Sequence, residues 1–138
     1  MKPIEISIRR NGIVETAIIE CDRRNKTLTF TMLCGLKKTY TSYDFYECFG
    51  ILRAEFPEIQ FLCKGARLDV HTSRMSSQMS SGLVAYQVRT GHSTEEEDIV
   101  RIFDYDDENI TNSIQDQRKH YKNWIESLRN NSPPQNDE

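Results

Sequence analysis

Three histidines and four cysteines are the residues here that could hold a metal or act as nucleophiles, and their spacing argues against both. His71, His92 and His120 are too far apart for an H-x-x-x-H pair on one helix face. Cys21, Cys34, Cys48 and Cys63 follow one another at intervals of 13, 14 and 15 residues, without a C-x-x-C pair for zinc or redox work. They read as small buried hydrophobes. Cys21 and Cys34 could face each other across a hairpin, but the expected compartment keeps thiols reduced. His92 reads as a surface residue and His120 as a helix-face residue. The serines between Ser73 and Ser81 form neither a G-x-S-x-G elbow nor an S-x-x-K nucleophile. There is no G-x-G-x-x-G and no Walker loop. A Cys63–His71 dyad would need a proximity that only the fold can supply. No catalytic residue, no metal ligand and no cofactor is therefore assigned.

The acids are the distinctive feature. Residues 1–90 carry 13 Lys/Arg and 9 Asp/Glu, whereas residues 91–138 carry 5 and 12. Glu95, Glu96, Glu97, Asp98, Asp104, Asp106, Asp107 and Glu108 place eight negatives within 14 positions, with Arg101 the one cation among them. The central glycine of a calcium loop is missing. Adjacent acids on a polar loop also lack the apolar pocket that raises a catalytic carboxyl pKa. The stretch is either a solvated loop serving solubility or a surface built to meet a basic partner.

Composition bounds the class. The chain has 138 residues, 37% hydrophobic and 28% charged, with a net charge of -3. That is enough for one domain with its own core. The acidic balance argues against a general nucleic-acid binder. Arg9, Arg10, Arg23, Arg24 and Lys26 are explained more simply as charges guarding sheet edges and turns. No apolar run approaches the roughly 20 residues of a membrane span, and residues 1–6 lack the apolar core of a signal peptide. The expected location is cytoplasmic, without membrane or nucleic acid as partner.

The elements that must position any site follow from periodicity. Ile4, Ile6 and Ile8 alternate with polar residues, Asn11-Gly12 is a tight-turn dipeptide, and Ile13 to Cys21 is rich in β-branched residues. Leu28, Phe30 and Met32 alternate with threonines, so the first 34 residues predict a three-stranded antiparallel meander. Residues 35–39 break the pattern. Thr41 or Ser42 is then a candidate cap for a helix carrying Phe45, Cys48, Phe49 and Leu52 and ending near Glu55, before Pro57. Short strands are expected over 59–62, 66–70 and 83–88, with Ile99, Val100, Ile102 and Phe103 as a buried one. Met75 and Met79 would share a face of one helical turn. Asn112 or Ser113 caps a last helix with Ile114, Tyr121, Trp124, Ile125 and Leu128 at helical spacing. The prediction is a single α+β domain over 1–130. Its antiparallel-rich sheet begins with the meander, two main helices pack on it, and 131–138 form a disordered tail.

The second half carries a resemblance. The run from Arg74 through Met75, Ser76, Met79 and Gly82 to Tyr86, then Val100-Arg101-Ile102-Phe103-Asp104, then Gln115 to Arg118 with Trp124, resembles small bacterial immunity proteins. These are encoded beside polymorphic toxins, including those of contact-dependent growth inhibition. The resemblance spans roughly residues 66–128 and implies no catalytic residue. It implies a stoichiometric inhibitor whose partner is a cognate toxin C-terminal domain, often a nuclease with a Lys/Arg-lined groove. An acidic surface could enter such a groove with steered association. The candidates for contact are Glu95, Glu96, Glu97, Asp98, Asp104, Asp106, Asp107 and Glu108, with Tyr105 as an aromatic anchor. Two other readings stay open. One is a non-catalytic adaptor or structural homodimer. The other is a small enzyme assembled from distant residues such as Cys63, His71 and the acidic loop.

Overall fold

The computed structural model describes residues 2–130, and the tail expected over 131–138 lies outside them. Strands β1 (Ile4–Arg10), β2 (Ile13–Asp22), β3 (Thr27–Met32) and β4 (Lys37–Thr41) form an antiparallel meander, and β5 (Gln60–Phe61) adds to its other side in the order β4-β3-β2-β1-β5. The fold is therefore α+β, with an antiparallel sheet that begins with the expected meander. Asn11 and Gly12 both take positive φ, 53° and 77°, as the β1–β2 turn requires.

The meander gains a fourth strand where a break was expected. Gly35 at φ 96° turns the chain, and β4 pairs with β3 in the register Leu28↔Tyr40. Tyr40 is the one buried residue of β4, while Lys37, Lys38, Thr39 and Thr41 are exposed. One apolar position makes no readable alternation. Because Thr41 ends the strand, the first helix, α1 (Phe45–Glu55), is capped by Asp44 instead of Thr41 or Ser42. The Asp44 carboxylate accepts from the Glu47 N–H at 2.8 Å.

A second sheet, order β6-β7-β8, is made of β6 (Val70–His71), β7 (Val84–Gln87) and β8 (Ile99–Arg101). The strand expected over 66–70 does not form: Ala66 ends a 3₁₀ turn (Lys64–Ala66), Leu68 and Asp69 turn the chain, and only Val70 belongs to the two-residue β6. Gly65 packs directly on Ile102, where a Cβ would lie 2.6 Å from the Ile102 Cβ. Between β6 and β7, Ser73 caps the short helix α2 (Arg74–Ser80). Met75 and Met79 do share a face, but it is the outer one, 66% and 75% exposed. β8 is not buried: it is an edge strand with Ile99 exposed, and burial begins at Ile102 and Phe103.

One apolar core joins both sheets and α1. It runs from Ile6, Ile8, Ile19, Leu28 and Phe30 through Phe49 and Phe61 to Val70, Ala85 and Ile102. Helix α3 (Ile114–Asn130) begins at Ser113, whose hydroxyl accepts from the Asp116 N–H at 3.0 Å. Asn112, the other cap candidate, serves α1 instead. Its amide nitrogen shares two N–H groups among the carbonyls of Arg53, Phe56 and Ile59 at 2.8–2.9 Å. Those are carbonyls at and just beyond the C-terminal end of α1, which need donors from outside the helix.

Buried Arg53 ties α1 to the 64–66 turn, to the segment before α3 and to α3 itself. Its guanidinium donates to the Thr111 and Gly65 carbonyls at 3.2 and 3.4 Å and to Gln117 Oε1 at 2.5 Å. It also lies 4.7 Å from the Phe49 ring centroid. Gln117 Nε2 donates onward to the Gly65 and Arg67 carbonyls. Burial lowers the Arg53 pKa to about 10, so it remains a cation at neutral pH.

Candidate functional site

The acidic residues stand at the two ends of β8. Glu96–Asp98 is a 3₁₀ turn leading into the strand, and residues 104–108 follow it. The three residues of β8 and the turn at Ile102 and Phe103 separate the two groups. The second group has a fixed backbone. The Lys64 N–H donates to the Asp104 carbonyl at 2.8 Å and the Asp106 N–H to the Leu62 carbonyl at 3.2 Å, a bridge centred on Cys63 and Tyr105. Tyr105 points outward, 59% exposed.

The carboxylates divide into outward ones and structural ones. Glu95, Glu96, Glu97, Asp104, Asp107 and Glu108 are exposed. Asp106 is turned in. It accepts from Lys64 Nζ at 3.2 Å, Arg67 Nη1 at 2.9 Å and the Glu108 N–H at 3.0 Å. Burial raises its pKa, but the Glu108 amide, Lys64 and Arg67 outweigh that and hold it below the usual carboxylate range. The same Arg67 grips both oxygens of Asp69 at 2.8 and 2.9 Å. Asp98 is partly occupied as well. It accepts from the Glu95 N–H at 2.9 Å and lies 3.9 Å from Arg89. Of the nine residues read from sequence, Asp106 and Asp98 therefore stabilise the segments that present the others.

A second constellation was not legible in the sequence. His71 on β6 is 4% exposed, and its Nε2 lies 2.9 Å from His120 Nδ1 on α3. The rings stack at 5.1 Å, and Tyr121 and Trp124 continue the aromatic row. Two nitrogens this close share one proton. Burial, with the neighbouring His120, lowers the His71 pKa to about 4. His71, Thr72 and Tyr121 line two clefts at once. One, of about 320 Å³, is walled by Tyr86 and Trp124; the other, of about 400 Å³, by Arg118 and Lys122. The spacing of His120, Tyr121 and Trp124 on one helix hinted at an aromatic face, but nothing about a two-residue strand marked His71. His92 is exposed, and its carbonyl accepts from the Trp124 indole N–H at 2.9 Å.

The residues of the enzyme reading do not form an activated nucleophile. Cys63 is fully buried, and burial pushes its thiol up to about 12. A thiol held that high supplies no thiolate at neutral pH. The imidazole of His71 is bonded to His120. Cys21 and Cys34 are both free. Cys21 pairs with Leu28 near the β2–β3 turn, and Cys34 lies in the turn at the far end of β3, so they do not face each other. Among the described residues, no group of three or more His, Cys, Asp or Glu is placed to hold a metal ion. Among them, too, no helix is long and apolar enough to cross a membrane. Searches for a matching protein-family model and for a matching curated protein find none.

Proposed function

We propose that this protein is a stoichiometric inhibitor that binds and neutralises a cognate toxin domain in the cytoplasm, with its acidic face meeting a basic groove on that domain. The observation that carries the reading is the preorganised 104–108 segment. Its backbone is hydrogen-bonded to residues 62 and 64, and its spare carboxylates and Tyr105 stand in solvent. Little ordering entropy is then lost on binding. Exposed carboxylates steer a cationic partner and raise its association rate. An exposed tyrosine among them is a residue type enriched at the energetic centres of interfaces. A nuclease domain, whose groove attracts phosphates, is the kind of partner this charge suits.

Co-expression with the C-terminal domain encoded beside this chain's gene tests the reading. The expected result is a 1:1 complex on co-purification and rescue of growth; free components and continued killing would sink it. The contact surface is tested by neutralising Asp104, Asp107, Glu108, Glu96 and Glu97 to their amides. Asp106 is left intact because its loss would loosen the segment itself. Association should slow by about ten- to a thousandfold with a flatter salt dependence. Unchanged association would remove the acidic face as the contact.

A further inference from the structure

The hydrogen-bonding groups of the sheet edges are not equally covered. β4, at one end of the five-stranded sheet, carries exposed Lys37 and Lys38, charges that discourage a further strand. Beyond β5, the chain at 62–64 is already bridged to 104–106. In the smaller sheet, β6 is closed. The outward N–H of Val70 donates to Arg67, and its carbonyl accepts from the Tyr46 hydroxyl at 2.6 Å.

β8 differs. The Ile102 N–H donates to Leu83, and Ala85 pairs with Val100, so Val100 points its backbone at β7 while Ile99 and Arg101 point theirs away. The Ile99 N–H is taken by the Glu96 carbonyl and the Arg101 carbonyl by the Asp104 N–H. The Ile99 carbonyl and the Arg101 N–H are left without a partner among the described residues. They are spaced as the N–H and C=O of one residue in a parallel neighbour require. Exposed Glu96 and Glu97 lie at one end of this edge and exposed Asp104 at the other. A cleft of about 280 Å³ lined by Arg89, Glu97, Asp98 and Val100 flanks the first end, and one of about 400 Å³ lined by Arg23, Leu83, Arg101 and Asp104 flanks the second.

We infer that the β8 edge accepts an extended, lysine- or arginine-bearing segment of the partner as a fourth strand of the small sheet. The backbone bonds at Ile99 and Arg101 fix its register. Its side chains alternate between the two faces of the sheet, and its cations meet Glu96, Glu97 and Asp104. This deepens the inhibitor reading and rests on it for the partner's identity, but not for the chemistry of the edge. Arg101 on the strand, with Arg89 and Arg23 in the flanking clefts, opposes these acids, so the edge should prefer a guest whose cations meet the outward carboxylates of Glu96, Glu97 and Asp104 and not the clefts.

The probe is a blocked peptide of alternating lysine and valine added at millimolar concentration to the full chain, with backbone amides followed by NMR and hydrogen exchange. The Arg101 amide should slow by tenfold or more. Arg101→Pro removes the β8 edge N–H that has no partner among the described residues, a place where an edge strand tolerates proline. It should weaken peptide binding at least tenfold, while Arg101→Gln keeps it. Unchanged Arg101 exchange, or equal binding by a folded Arg101→Pro, overturns the inference. If that variant does not fold, the exchange measurement decides alone. The same exchange experiment in the partner complex separates the two claims. A tight complex with a freely exchanging Arg101 amide overturns the strand and leaves the inhibitor standing. A peptide-protected Arg101 with no toxin complex supports the strand and ends the inhibitor reading.

Discussion

Replacing Arg53 by alanine should cost about 2–5 kcal/mol of folding stability, the range for truncating a large buried side chain. The side chain fills its own volume and supplies the donors for the Thr111 carbonyl and Gln117 Oε1. Removing it leaves a cavity and orphaned acceptors in one place. A domain this size has only about 5–15 kcal/mol in total, so the variant should be at the edge of unfolding. Arg53→Met, which keeps the aliphatic volume and loses the donors, should fall between it and the natural chain. Arg53→Lys should not rescue, because a single ammonium cannot span three acceptors held by three different elements. Urea denaturation reads all three. A loss below about 1 kcal/mol for the alanine variant would mean that the carbonyls find water and that the network is not what joins α1, the 64–66 turn and α3.

Acid should destabilise the protein through His71. In the folded chain the residue titrates near 4, against an ordinary value of 6.5, because burial and His120 disfavour its cation. Between those values the unfolded chain holds the extra proton. Stability is therefore full above about pH 6.5 and falls as the pH drops toward 4, by about 3 kcal/mol if the whole difference is realised. Protonating both rings would also set two N–H groups against each other across 2.9 Å. Since His71 lies on β6 and His120 on α3, the helix should loosen first, seen as faster exchange of its amides. His71→Phe keeps the packing against Tyr121 and has no proton to take up. Its stability should be flatter between pH 6.5 and 4. An identical slope in that variant would show that other groups carry the acid sensitivity; the paired carboxylate of Asp106, held low by Lys64 and Arg67, would then be the next to test at still lower pH.

The features that were legible in the sequence are those decided by neighbours along the chain. Alternation at Ile4, Ile6 and Ile8 and at Leu28, Phe30 and Met32, the Asn11-Gly12 turn, the stripe on α1 and the helix ending the described chain are local properties of residue type and period. So is the concentration of acids between Glu95 and Glu108. The tertiary structure decided the rest, because pairing and burial depend on residues far away in the chain. Asp104 and Asp106 look alike in sequence. Only the Arg67 and Lys64 side chains, 39 and 42 positions earlier, make Asp106 a structural ion while Asp104 faces solvent. Arg53 belongs in the core because Gln117, 64 positions away, meets it there. His71 is buried because His120 closes over it from 49 positions away. β8, three residues long, is too short to carry a period, so its place at the open edge of a sheet came from pairing alone.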